Sequence, residues 1–244
     1  MPALFSAKRK SQQTHCLNNV KQLSLASFMY ASDNGRHAGY GYNDPKYPGG
    51  NWMATLMEYA KENNLRLCAS APLSNPPPAS GNRLGTADSA WVRWTADRTT
   101  MFYGSYGYNG YLYSDKKYPQ SDPRHAWIFT KESTIQKPAQ TPVFFDAIWV
   151  DMWPREWEGP WHNLYSGAPF GAGNDNNMGR CTISRHGGVN PASAPRNLAK
   201  GQKMPGGINM GFADGHSELT KLENLWNCYW HLDWQPPNPR PDVN

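Results

Sequence analysis

The 244-residue sequence has no run approaching the ~20 apolar residues that span a bilayer, and its start lacks the basic, apolar and small-residue regions of a secretory signal. Cysteine is scarce. Cys16, Cys68, Cys181 and Cys228 are never spaced as C-x-x-C, which argues against a zinc ribbon or a thioredoxin-like redox motif, although an even number permits two disulfides. There is no Gly-x-Ser-x-Gly elbow, no His-Glu-x-x-His pair and no phosphate loop. Gly171-Ala172-Gly173 carries Asn176 where a dinucleotide fingerprint needs its third glycine. Charge is modest at 18% of residues, and the excess of 24 basic over 19 acidic groups, +5, is spread thinly apart from Lys8-Arg9-Lys10 and Lys116-Lys117. The 11 Trp and 13 Tyr therefore do not combine with a basic groove, and no nucleic-acid partner is expected.

What is present is a composition that folds: 39% hydrophobic residues and 13% aromatics, with 22 Gly and 21 Pro. So much Gly and Pro predicts one loop-rich domain rather than two compact ones. Residues 2–34 hold no internal Gly or Pro, and Cys16, Val20, Leu23 and Tyr30 recur at helical spacing. Asp33-Asn34-Gly35 supplies the stop. A second helix is predicted over 51–61, capped by Asn51, with Trp52, Leu56 and Tyr59 on one face. The proline-rich stretch 72–78 and the segment up to residue 98 read as surface loop anchored by Trp91 and Trp94.

Two strands are expected, at 105–112 with its alternating aromatics and in the apolar run 142–150. Residues 151–179, with Trp153, Trp157 and Trp161 among Gly, Pro and Asn, show no period and read as a long ordered loop. The tail 235–244 is expected to be extended or frayed. Between them, Asp214-Gly215 predicts a two-residue hairpin turn that sets Ala213 opposite His216, Phe212 opposite Ser217 and Met210 opposite Leu219. The fold class read from this is α+β: a long N-terminal helix on a small antiparallel sheet, with long loops.

Several stretches, in order, carry a resemblance. They are Cys16-Leu17-Asn18-Asn19-Val20-Lys21-Gln22-Leu23 with Tyr30-Ala31-Ser32-Asp33-Asn34-Gly35, then Trp52, Leu67-Cys68, Ser105-Tyr106-Gly107-Tyr108-Asn109-Gly110-Tyr111, and Phe212-Ala213-Asp214-Gly215-His216. Over most of its length the chain resembles the pilin-like, prepilin-type proteins with an H-x9-DG signature, related to type II secretion pseudopilins and type IV pilins. It departs from them in three places. His186 and Asp214 are separated by 27 residues, as if residues 189–206 had been inserted as a loop; Cys68 is not followed directly by Pro; and the leader and apolar anchor of the family are missing before Pro2-Ala3-Leu4-Phe5.

The resemblance implies a division into a stem helix, 1–34, and a head, 35–244. It implies a non-enzymatic pseudopilin-like subunit of an extracytoplasmic filament, at the periplasm or cell surface. Such a subunit is anchored in the inner membrane by the missing helix, partnered by other pilin-like subunits and the secretion or pilus machinery, and monomeric without its anchor. An extracytoplasmic setting allows disulfides. Cys16–Cys68 would fasten the two helices and Cys181–Cys228 would form the second bridge. A membrane-anchored protein binding carbohydrate or another partner on the same stem is the alternative, with Trp153, Trp157 and Trp161 as aromatic platforms if they are not small loop cores.

No cofactor is required by any motif. His186, Asp214 and His216 are nonetheless the candidate ligands for a divalent metal, calcium by analogy with major pseudopilins, although Asp before Gly is more often a turn former. In that structural role Asp214 and Gly215 make the turn and His186 bonds to the hairpin. A nucleophilic Cys181–His186–Asp214 set is chemically conceivable but less common than a buried thiol.

Overall fold

The computed structural model describes residues 2–40, 43–44, 47–74, 80–114, 118–170 and 175–243. Gly171-Ala172-Gly173, Lys116-Lys117 and residues 75–78 of the proline-rich stretch lie outside these. Helix α1 (Pro2–Asn34) matches its expected span. Buried Gln13, Cys16, Val20, Leu23, Ser27 and Ala31 recur every three or four residues and, with Asn19, Ser24 and Ala26 beside them, define the face that meets the rest of the chain. Gly35 ends it with φ of +65°, the left-handed conformation a helix stop calls for.

Helix α2 (Asn51–Thr55) is shorter than its predicted span, and Asn51 is not its cap. Gly50 occupies that position, while Asn51 is held at φ +48° by a buried bond from its Nδ2 to Asp151 Oδ2 at 3.0 Å. The side chain chosen for local capping is used instead in a long-range contact. Before α2 lies a short ribbon of β1 (Asn43–Asp44) and β2 (Tyr47–Pro48). After it, β3 (Trp91–Trp94) and β4 (Met101–Gly104) form an antiparallel pair where a surface loop is expected. The buried Trp91, whose Nε1 donates to the Tyr106 carbonyl at 3.1 Å, ties that pair to the interior.

The main sheet is built from β5 (Tyr106–Asn109), β6 (Pro142–Asp146), β7 (Asp151–Met152), β8 (Gly207–Phe212) and β9 (Ser217–Lys221) in the order β7-β5-β6-β8-β9. Every pairing is antiparallel except β5 with β7. The alternating aromatics of β5 act as expected: Tyr106 donates to the Cys16 carbonyl at 3.4 Å and Tyr108 meets Ser27 Oγ at 3.5 Å, so both reach α1. Strand β8 alternates large and small. Ile208, Met210 and Phe212 enter a core with Trp226, Trp230 and Trp234 on the face away from α1, whereas Asn209 and Gly211 lie beneath the helix.

Gly211 makes this close approach possible, since a Cβ there would sit 2.3 Å from Ser24 Oγ and 3.1 Å from Val20 Cγ1. Gly211→Val is expected to lower the unfolding free energy by about 1–3 kcal/mol through overpacking, read from the urea midpoint.

The β8–β9 register differs from expectation by one residue. Gly211 pairs with Ser217 and Met210 with Glu218, and the Phe212 N–H donates to the His216 carbonyl at 3.0 Å. The turn therefore has three residues: the Gly215 N–H closes onto the Phe212 carbonyl at 3.0 Å, and Gly215 itself has φ +86°. This type I turn followed by a left-handed glycine is the alternative hairpin solution open to an Asp-Gly pair. Nothing lies within 4 Å of a Cβ built at Gly215, so Gly215→Val is expected to cost about 1 kcal/mol from backbone strain alone, with Asp214→Asn within about 0.5 kcal/mol. Thermal unfolding of the two variants checks the difference.

The irregular segments are docked rather than loose. In the stretch 189–206, Ala194, Leu198 and Met204 are buried, and the Leu198 N–H donates to the His162 carbonyl at 2.7 Å. The tail corrects the expectation of fraying: Arg240 pairs with Glu223 at 2.6 Å, the Asp242 carboxylate accepts from the Gly201 N–H at 3.0 Å, and Val243 is buried. Among the described residues no helix is long and apolar enough to cross a membrane.

His37, just past α1, is buried, and among the described residues neither ring nitrogen has a hydrogen-bond partner. Burial pulls its pKa down from 6.5 to about 4. Below pH 6.5 the unfolded chain takes up a proton that the folded one refuses until about pH 4. Stability is therefore lost as pH falls across that window, at up to about 1.4 kcal/mol per pH unit. His37→Leu is expected to flatten this acid limb in urea titrations at pH 4 to 7.

Candidate functional site

Asp146 is the one charged residue in the apolar run 142–150, at the end of β6, and it is fully buried. A charge there needs a partner. It has one in Arg185, itself fully buried, whose Nη1 lies 3.0 Å from Asp146 Oδ1. The same guanidinium donates to the carbonyls of Thr86 at 2.7 Å, Ala87 at 3.0 Å, Ala147 at 3.3 Å and Ser105. Asp146 Oδ2 accepts from the Asn209 N–H at 2.7 Å and lies 3.4 Å from His186 Nε2.

His186 is pinned by its own backbone, which exchanges two 2.9 Å hydrogen bonds with Gly207 at the start of β8. Its ring is thereby held toward two sulfurs. Cys68 Sγ lies 3.3 Å from His186 Nε2, and one ligand atom each from Cys16, Cys68 and His186 lie within 4.8 Å of one another. All three residues are buried. The α1 periodicity points Cys16 inward at the level of this cluster. Leu67-Cys68-Ala69-Ser70 wraps it, so that the Ala69 N–H donates to Cys16 Sγ at 3.0 Å and the Ser70 N–H to Cys68 Sγ at 3.4 Å.

Amide donors and a neighbouring thiol favour a thiolate. The hydrogen bond from Cys68 pulls Cys16 down to about 4, with His186 adding to the effect against the opposing pull of burial. Burial pushes Cys68 well up. A cavity of about 90 Å³ lined by Ser6, Arg9, Gln13, Ser70, His186 and Val189 opens beside the imidazole, between α1 and the 187–191 segment.

Of the residues expected from sequence, His186 belongs to this cluster, and Asp214 and His216 do not. They pair with each other on the exposed hairpin tip, where the Asp214 carboxylate also accepts the His216 N–H at 3.1 Å. The His186–Asp214–His216 metal set is therefore not assembled: the hairpin carries those two side chains to its tip while His186 bonds its base. The Cys181–His186–Asp214 nucleophile set fails for the same reason, and Cys181 Sγ is turned onto the Met178 carbonyl at 3.3 Å.

All four cysteines are free thiols, so neither expected bridge is formed. Cys16 and Cys68 are nonetheless together, whereas Cys181 and Cys228 are buried in the core on the other face of the sheet, with burial pushing Cys228 up to about 12. Asp146 and Arg185 were missed from sequence, although a lone charge inside an apolar strand is a readable signal. Of the three loop tryptophans, Trp153 is buried and only Trp157 is strongly exposed, at 59%. No protein-family model, curated protein or solved structure matches the chain.

Proposed function

We propose that the chain is a non-enzymatic, pilin-like subunit of an extracytoplasmic secretion or pilus-type filament. The observation that carries this reading is the two-part character of α1. From Gln13 to Ala31 its inner face is buried against the head, while Leu4 and Phe5 in its first turns stand 73% and 57% exposed. Its outer face also presents Leu25 and Met29, one turn apart and both exposed. A helix that is docked along part of its length and begins with an exposed apolar stub, Leu4 and Phe5 ahead of Lys8-Arg9-Lys10, suits packing among neighbouring copies of the same helix. The motifs quoted above, from Cys16-Leu17-Asn18-Asn19 to Asp214-Gly215, add the family resemblance.

When expressed from its full natural reading frame, the protein is expected to fractionate with the inner membrane; a product released freely with no anchor would overturn the reading.

Trp157 favours a second reading, a surface that binds a carbohydrate or another partner. Its ring lies 6.1 Å from Trp127 and under Arg155 at 5.4 Å, beside an open depression lined by Asp122, Arg124 and Pro123. Glycan-array binding that Trp157→Ala removes would support it.

A further inference from the structure

We propose that Cys16, Cys68 and His186 form a zinc-binding centre that fastens the stem helix to the head. This goes beyond the filament reading and does not depend on it. Two sulfurs and one imidazole nitrogen are the donor set that zinc prefers over calcium or magnesium. A tetrahedral centre with bonds of ~2.3 Å to sulfur and ~2.0 Å to nitrogen sets its ligand atoms roughly 3.5–3.8 Å apart. Cys68 Sγ and His186 Nε2 already stand at 3.3 Å, and all three donor atoms fall within 4.8 Å of one another. The remaining adjustment, a slight lengthening of that pair and a shortening of the wider ones, is small.

The surroundings fit a metal thiolate better than a bare thiol pair. Backbone N–H groups are aimed at both sulfurs, an arrangement that stabilises charge on sulfur. Zn²⁺ with two thiolates and a neutral imidazole is electrically neutral, and the adjacent Asp146–Arg185 pair is balanced on its own, so the filled site buries no net charge. Binding displaces the thiol protons to solvent. Asp146 Oδ2 stands 3.4 Å from the same His186 Nε2 that faces Cys68, close enough to supply a fourth ligand. The cavity beside His186 offers the alternative, a water, and a route of entry. The three ligands come from α1, from the turn after residue 66 and from the segment before β8, so one ion would cross-link the stem to two parts of the head.

The test uses the whole chain, reduced and metal-free, titrated with Zn²⁺ under native mass spectrometry and separately with Co²⁺ under absorption spectroscopy. One equivalent of zinc per chain is expected. Cobalt should give a sulfur-to-metal charge-transfer band together with visible bands of tetrahedral intensity, and zinc should raise the Tm by at least about 5 °C. Cys16→Ser and His186→Ala should lose the charge-transfer band or weaken it strongly. Asp214→Asn and His216→Ala, on the exposed hairpin, should keep full stoichiometry.

The wild-type cobalt spectrum decides the matter even if a ligand variant fails to fold. A reduced, folded chain that takes up no zinc, or cobalt bound without sulfur charge transfer, overturns the assignment. So does a Cys16–Cys68 disulfide mapped in protein prepared with saturating zinc.

Discussion

Arg185→Met is expected to destabilise the protein by about 3–5 kcal/mol, because it leaves Asp146 as an uncompensated charge in the interior. Both side chains are fully buried, and the guanidinium satisfies four backbone carbonyls besides the carboxylate. Loss of the carboxylate's partner and of those donors acts on one locus, where β6, the 86–87 turn and β8 meet. The double variant Arg185→Met with Asp146→Leu should recover part of the loss, since removing both charges is far less costly than removing one. Urea unfolding of the two single variants and the double variant gives the coupling. A single variant within 1 kcal/mol of wild type would mean that water reaches the pair.

Trp52→Ala has the second large effect, about 3–5 kcal/mol, from a large cavity and the loss of a buried hydrogen bond. Trp52 is buried on α2, meets Phe144 edge-on with ring centroids 4.8 Å apart, and its Nε1 donates to the Val150 carbonyl at 2.7 Å. It therefore joins α2 to the centre of the main sheet. Trp157→Ala, at the exposed ring, should stay within about 0.5–1 kcal/mol. Chemical denaturation of the two variants separates a tryptophan that makes the core from an exposed one. Comparable losses would show that Trp157 is also structural.

How much of this could be read in the sequence depended on how local its cause was. The α1 span and its inward stripe, the Tyr106 and Tyr108 alternation and the Gly35 stop all follow from nearest-neighbour spacing and were legible. The hairpin was legible as a hairpin, but an Asp-Gly pair is compatible with two turn lengths, and stacking of Phe212 on His216 accompanies the longer one, with ring centroids 4.5 Å apart. Strand β3 reads as loop because Trp91 and Trp94 look like isolated anchors in sequence, whereas in the fold Trp91 lies against Gly104, where a Cβ would sit 2.6 Å from its ring. The tail looked free because its prolines conceal Arg240, Asp242 and Val243 as docking groups.

The candidate site was half legible. Cys16 and Cys68 are legible as neighbours, though as a bridge rather than as two thiols, and His186 is legible but with Asp214 and His216 as partners, because sequence spacing carries no information about which of three distant segments converge. Asp146 was passed over as part of an apolar run.

The central claim is that α1 serves as a stem that packs against other copies of itself. Its most direct measurement is cross-linking at Phe5, replaced by a photoreactive residue, in the protein expressed from its full natural reading frame in cells that carry the assembly machinery. The account predicts a ladder of covalent multimers joined through α1 and abolished when the machinery is absent. Cross-links formed only within one chain, or to an unrelated partner at the Trp157 face, would contradict it.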